Sequence, residues 1–401
     1  MAIIKKTEIK TLKQFYELVR ATVPLRREIV NLYIKGKEVP GEYTNSLKQV
    51  MASLAAVSGT SRKAELFSRG DSRISVDISY EYNELEKDIF FLSHGEEKFC
   101  GYLQALHPAF SEAVGNIADA LRGVNFNLFA SDRDGTVNNY CGRYNSSIQS
   151  VYNAVFLTRF AQKRTVNSVI LTSASLADVG LMDMSVAPAG SFIYAGSKGR
   201  EFCDRTGRRS ALKIDDEKQA KLNELNSALS ELVSKKDYEI FPLIGSGLQF
   251  KFGQTTIARQ DISGSVTDEI SLEFMDIVKG LVNKADPEGN FFRIEDTGRD
   301  VEIILTFKGT GKDFDKGDGL NLIDSELGLG MENGRGLICG DTASDVAMLE
   351  VAVEKNPDTE SVFVTIDEEL KKRVKGINAG ALFADKPDVL VTALNELSKG
   401  E

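Results

Sequence analysis

Along residues 1–123 the apolar positions follow a helical period. Leu12, Phe15, Tyr16, Leu18 and Val19 recur at that spacing, and so do Leu47, Val50, Met51, Leu54 and Val57. The stretch "GTSRKAELFSRGDSRIS" is polar and predicts a connection, after which helical segments resume from about Tyr80 to Leu121. Three to four amphipathic helices of this length predict a helical bundle over 1–123. No catalytic constellation shows in it, and a docking or oligomerisation role is expected of it.

The texture changes at "GVNFNLFASDRDGT", where a short apolar run ends in turn residues and a helical pattern follows (Ile148, Val151, Tyr152, Val155, Phe156). "NSVILTSAS" and "SFIYAGSKGRE" repeat the short run, and "GLICGDTASDVAMLEVAV" gives strand, loop and helix again near the C-terminal end. "SVFVTI" and "GALFAD" add two more strands. Strands alternating with helices predict an α/β domain with a parallel sheet, here over 124–203 and 306–401. Residues 204–305 differ: a charged helix, "DDEKQAKLNELNSALSELVSKK", precedes alternating runs such as "LQFKFGQTTIAR", a second helix and "VEIILTF". That pattern predicts an inserted α+β layer over the sheet.

Charge and composition narrow the classes. A formal net charge of −10 over 401 residues argues against a general nucleic-acid binder, which needs basic surface against phosphates. The opening "MAIIKKTEIK" lacks the apolar core of a signal peptide, and no apolar stretch is long enough to span a bilayer. Cys100, Cys141, Cys203 and Cys339 show no CxxC spacing, which suits a reducing cytoplasm rather than a disulfide framework or a zinc site. With His94 and His107 as the only histidines, chemistry is expected to run on carboxylates.

The carboxylates that matter gather at strand ends, where parallel sheets hold ligands. In "ASDRDGT" Asp132 and Asp134 stand two apart, so on an extended strand both would leave on one side and repel unless a cation or proton separates them. Thr172 closes "VILT", Lys316 lies in "DFDKGDGL", and Asp341 and Asp345 lie in "GDTASD" before a helix. The acidic residues Asp132, Asp134, Asp341 and Asp345 suit a hard divalent cation, Mg2+ above all, and Lys316 and Thr172 suit a phosphate beside it. In this arrangement Asp132 is expected to attack phosphorus and Asp134 to act as general acid and base. An EF-hand does not fit: counted from Asp313, positions five and six are Gly317 and Asp318 where the pattern needs Asp/Asn and then Gly. No GxxxxGK[ST] phosphate loop occurs either.

"DRDGT", "VILT", the lysine of "DKGDG" and "GDTASD" match, in order, the four motifs of haloacid-dehalogenase-type phosphatases. More closely, "SDRDGTVNNYCGRYNSSIQSVYNAVFLTRFA", "YAGSKGRE", "LIGSGLQFK" and "DKGDGLNLIDS" resemble the trehalose-6-phosphate phosphatases, in particular their nematode-type branch, from about Asn125 onward. The resemblance implies a Rossmann-like core, a C2-type cap between the second and third motifs, Mg2+, and release of trehalose and phosphate. It also implies that the cap reads the sugar through residues matching Gln249, Lys251, Arg259 and Glu302, with Lys198 in "GSKG". Gln249 stands where many members carry Glu, and Lys198 where many carry His. The expectation is a cytoplasmic, Mg2+-dependent phosphatase of a small sugar phosphate, with no nucleic-acid or membrane partner. The alternatives are a phosphatase of another compatible solute (a glucosyl- or mannosyl-glycerate phosphate), a phosphomutase, and a non-catalytic scaffold.

Overall fold

The computed structural model describes residues 3–68, 73–306 and 314–399. The stretch 307–313, with the Asp313 from which the calcium-loop count starts, lies outside them. In chain order, α1 (Leu12–Arg20), α2 (Thr22–Ile34) and α3 (Gly41–Ser58) lead to a hairpin of β1 (Lys63–Phe67) and β2 (Arg73–Asp77). Helices α4 (Ser79–His94), α5 (Glu96–Leu106) and α6 (Phe110–Ala120) complete this part. The first helix starts where sequence says it should: Thr11 and Gln14 form a reciprocal capping box.

The hairpin corrects the expectation of a polar connection over this stretch, while the helical bundle expected of the segment stands. "KAELF" and "RISVD" alternate with period two, and Ala64, Leu66, Ile74 and Val76 are buried on the inner face. Five paired positions, from Lys63 opposite Asp77 to Phe67 opposite Arg73, tie the strands together.

The α/β part begins with β3 (Phe126–Ser131), α7 (Val151–Arg164), β4 (Thr165–Leu171), α8 (Leu181–Met184) and β5 (Ile193–Gly196), followed by β6 (Glu201–Cys203) and β7 (Arg209–Ala211). The insertion contributes α9 (Asp216–Ser234), β8 (Leu248–Lys251), β9 (Gln254–Ala258), α10 (Asp268–Ala285), β10 (Phe292–Asp296) and β11 (Asp300–Leu305). The chain then returns with α11 (Lys316–Leu327), β12 (Gly336–Gly340), α12 (Val346–Lys355), β13 (Glu360–Val364), α13 (Glu368–Ile377), β14 (Leu382–Ala384) and α14 (Pro387–Lys399).

The main sheet runs β14-β13-β12-β3-β4-β5-β6-β7, parallel from β14 to β5 and antiparallel over the last two strands. The insertion therefore starts after Ala211 and not at 204. Asp204 accepts hydrogen bonds from Thr206 N (2.8 Å) and Arg208 N (3.0 Å), which makes this stretch a hairpin turn and keeps β7 on the main sheet. The inserted cap carries its own antiparallel sheet, β10-β11-β9-β8, and its own apolar core with α9 and α10.

One face of the main sheet is covered by α11, α12 and α13, the other by α7 and α14. The N-terminal helices form a further layer on α7 and α14, and their apolar side chains (Phe15, Ile29, Phe91 and Phe99 among them) belong to the same continuous core as Tyr152, Phe156 and Leu394. A buried ion pair links the layers as well: Lys87 Nζ lies 3.0 Å from Glu84 and 2.8 Å from Asp388. The N-terminal segment thus packs much of its apolar surface against the α/β core.

Candidate active site

The site forms at the C-terminal edge of β3, β4 and β12, where strand register brings the three motif loops side by side. Asp132 follows β3 directly, and its N–H donates to Cys339 O (3.0 Å). Lys316, the first residue of α11, reaches it from the other side: Nζ lies 2.6 Å from Asp132 Oδ1 and 2.5 Å from Asp345 Oδ1. Asp345 is further fixed by Asp341 N (3.0 Å), Thr342 N (2.9 Å) and the Thr342 hydroxyl (2.9 Å). Asp341 accepts from the Thr136 hydroxyl at 2.8 Å.

Asp132, Asp341 and Asp345 each offer an oxygen within 4.8 Å of the others. Burial pushes the Asp132 carboxyl well up, and the carboxylates of Asp345 and Asp341 add to this against the opposing Lys316 ammonium. Burial and Asp345 likewise push Asp341 up to about 6. For Asp345 burial acts upward too, but the Lys316 charge and hydrogen bonds outweigh it and hold the group low. With all three carboxylates ionised, one ammonium leaves two negative charges uncompensated in a largely buried site, and burial together with this surplus charge is what raises Asp132 and Asp341. Oxygen ligands at this spacing and charge fit a hard divalent cation.

Two glycines make the cluster sterically achievable. Gly135 sits at φ +96°, and a Cβ there would lie 2.2 Å from Asp341 Oδ2. A Cβ on Gly340 would lie 2.3 Å from Asp345 Cβ. Both positions require the missing side chain.

Asp134 departs from the expected geometry. The strand ends at Ser131, so the period-two argument does not carry through Asp134. Asp134 Oδ1 accepts from Arg133 Nη1 (2.6 Å), Ser147 Oγ (2.6 Å) and Asn138 Nδ2 (3.2 Å). Its side chain stays outside the group of three, so its carboxylate is not brought in as the fourth metal ligand expected from sequence. Each carboxylate of the pair has its own cation, Lys316 for Asp132 and Arg133 for Asp134.

Beside Asp134 a cavity of about 250 Å3 opens between core and cap. Its walls include Asp134, Ser173, Gln249, Lys251, Asp300 and Glu302. Pairing in the cap sheet sets Gln249 opposite Thr256 and Thr256 opposite Glu302, while Lys251 and Asp300 lie two residues along on the same face. Burial pushes the Lys251 ammonium down, opposed by Glu302 and Asp300, with Lys198 adding to the lowering. Gln249 Oε1 and Asp300 Oδ1 are buried without a hydrogen-bond partner, although Gln249 Nε2 donates to Ser246 O (2.8 Å) and Ser246 Oγ to Asp300 Oδ2 (3.0 Å). Unmet acceptors in a polar cavity suit a ligand rich in hydroxyl donors.

The family model described as trehalose-6-phosphate phosphatase, C-terminal, matches residues 129–390, and the model of the trehalose-6-phosphate phosphatase N-terminal helical bundle domain matches 11–108. The chain belongs to the trehalose-6-phosphate phosphatase family. It is 32% identical to alpha,alpha-trehalose-phosphate synthase [UDP-forming] 1 of Aphelenchoides avenae, over 97% of this chain and 36% of that one. The trehalose-phosphatase of Brugia malayi is 28% identical over 98% of this chain and 87% of its own length. The chain spans about a third of the length of the synthase relatives.

In this member of the trehalose-6-phosphate phosphatase family, the fold brings Asp132, Lys316, Asp341 and Asp345 together. Thr172 stands at the end of β4, held by its N–H to Ala195 O (2.9 Å). Of the cap residues, Gln249, Lys251 and Glu302 reach the cavity, whereas Arg259 does not line it. Arg259 follows the end of β9 and is bonded to Asp296 (2.9 and 3.1 Å) and to the Ser271 hydroxyl (2.7 Å). Lys198 is held in a left-handed turn (φ 62°) with its N–H on Thr172 O (2.9 Å), beside the cavity rather than in its wall. Asp300, Ser246 and Tyr140, which sequence reasoning missed, also line the cavity. Asp300 was legible: it precedes Glu302 by two in the same alternating run.

Proposed function

We propose that this chain hydrolyses trehalose 6-phosphate to trehalose and inorganic phosphate, with Mg2+ as its cofactor and an aspartyl-phosphate on Asp132 as the intermediate. The observation that carries the reading is the juxtaposition of the Asp132–Lys316–Asp345 cluster with a polar cavity walled by Gln249, Lys251, Asp300 and Glu302. The Brugia malayi trehalose-phosphatase, matched along most of its length, supports phosphatase over synthase chemistry.

An Asp132 oxygen attacks phosphorus in line, and the bond from phosphorus to the sugar oxygen breaks. Asp134, on the cavity wall, donates its proton to the departing sugar alkoxide. A water then attacks the phosphoaspartate as Asp134 takes its proton, the bond between phosphorus and Asp132 breaks, and phosphate leaves. Lys316 holds Asp132 in place and presents positive charge to the phosphoryl oxygens, and the hydroxyl of Thr172 at the end of β4 is expected to donate to them as well. Asp132, Asp341 and Asp345 would hold Mg2+, which when bound offsets the two surplus negative charges and the charge of the phosphate. Lys251 and Glu302 receive the sugar hydroxyls together with the unpaired acceptors of Gln249 and Asp300.

Phosphate release from a panel of sugar phosphates, with and without EDTA, tests the reading. Release from trehalose 6-phosphate that stops on chelation is expected. Activity confined to glucosyl-glycerate-type phosphates, or surviving EDTA, overturns it.

A further inference from the structure

Helix α4 lies along the catalytic loop at several points on one face. The Tyr80 hydroxyl donates to Ile148 O (2.9 Å) and accepts from Asn138 Nδ2 (3.0 Å). That same Asn138 nitrogen lies 3.2 Å from Asp134 Oδ1. One residue on, Glu81 takes both Arg143 contacts (2.7 and 2.8 Å) and the Ser146 hydroxyl (2.5 Å). Asn139 Nδ2 donates to Glu84 (3.1 Å), and Val151 N donates to Asp88 (2.6 Å). Positions 80, 84 and 88 share a face at helical spacing, so a single helix grips the loop from Asn138 to Val151.

The loop in turn holds Asp134. Ser147 Oγ donates to its Oδ1 and accepts from Arg133 Nη1 (3.1 Å), and Asn138 supplies the remaining side-chain donor. Two of the three groups that aim the Asp134 carboxylate thus sit on a segment that α4 clamps. Arg133, the third, is itself bonded to Ser147 Oγ (3.1 Å) and Ser147 O, and to Met184 O (3.4 Å).

We infer that Tyr80, from the N-terminal helical segment, is a positioning residue for the general acid: through Asn138 it aims the Asp134 carboxyl at the leaving oxygen. This rests on the assignment of Asp134 as acid and base given above. The helical segment then does more than stabilise the fold, because part of the acid's support is built from it.

The test uses leaving groups. A sugar alkoxide needs protonation as it departs, whereas p-nitrophenolate leaves without it. The parameter is kcat/KM, which covers steps up to leaving-group departure, read as the ratio between trehalose 6-phosphate and p-nitrophenyl phosphate. This ratio is independent of how much of a variant is folded. Asp134→Asn should lower it by at least about 100-fold. Tyr80→Phe, which loses the hydroxyl, and Asn138→Ala should each lower it by about threefold to tenfold. If Asp134→Asn shifts the ratio and neither other variant does, the inference about Tyr80 fails while the acid assignment stands. If Asp134→Asn leaves the ratio unchanged, the acid assignment itself fails and takes the inference with it.

Discussion

Replacing Lys87 by Met tests whether the N-terminal helices and the α/β core form one cooperative body. Lys87 is 6% exposed and sits between Glu84 and Asp388, which belongs to α14 of the core. Asp388 also accepts from Tyr152 and Asn139, and His107 lies 3.4 Å away. Burial acts to raise the Asp388 carboxyl, but the Lys87 charge and the hydrogen bonds from His107, Lys87 and Tyr152 outweigh it and hold the group well below the usual carboxylate range. Burial acts to lower Lys87, and the charges of Glu84 and Asp388 raise it above its ordinary value. The sign follows from both directions. The contribution from Asp388 is present above the unfolded value of about 3.9 and is lost as pH falls through the folded one, and that from Lys87 is present below about 10.4 and lost at higher pH.

Lys87→Met strands two buried carboxylates, a change that costs about 3–5 kcal/mol when one partner of a buried pair is removed. Without the ammonium the largest influence lowering the Asp388 carboxyl is gone, and burial moves the group upward. The loss is then largest near about pH 8 and shrinks toward about pH 4.5, where the group takes up a proton. Urea unfolding of both proteins at the two pH values measures this directly. In a Lys87→Met/Asp388→Asn double variant the loss should fall short of the sum of the two single losses, because the stranded charge is gone. A loss under about 1 kcal/mol, or one equal at both pH values, would refute the reasoning.

Three other outcomes follow from the geometry. Gly135→Ala forces a Cβ into the place of Asp341 Oδ2 at a φ of +96°, and should cost about 1–3 kcal/mol in stability and roughly 100-fold in kcat; unfolding midpoints and steady-state rates check it, and wild-type values contradict it. Lys251→Met should raise KM for trehalose 6-phosphate by about 10- to 100-fold with a smaller change in kcat, since it removes a charged hydrogen-bond donor from the cavity wall; an unchanged KM excludes that contact. Asp341→Asn should abolish Mg2+ binding in isothermal titration while the protein stays folded by circular dichroism, because one of three carboxylates is lost; undiminished binding would move the ion elsewhere.

Much of the core was legible because its signals are local. Each apolar run with a polar cluster at its end became a strand with a site residue after it, and the insertion differed in texture from its flanks. The hairpin at β1 and β2 was missed although its alternation is visible, because "GTSRKAELFSRGDSRIS" is dominated by charge and its apolar positions are few. That Asp134 stays outside the group of three was not readable, since it depends on where β3 ends and on Arg133 and Ser147. The family resemblance puts Arg259 in the cavity, shortly after Lys251, but it follows β9 and is taken up by Asp296 and Ser271 instead. The grip of α4 on the loop from Asn138 to Val151 joins residues some 60 apart in sequence, and no pattern within either segment announces it.

The central claim is that Asp132 becomes phosphorylated. Quenching the enzyme during turnover of trehalose 6-phosphate with borohydride converts a phosphoaspartate to homoserine, which peptide mass spectrometry locates. Homoserine at position 132, dependent on substrate, is the predicted result. Turnover with unmodified Asp132, or an Asp132→Asn variant that hydrolyses the substrate at the wild-type rate, would contradict the account.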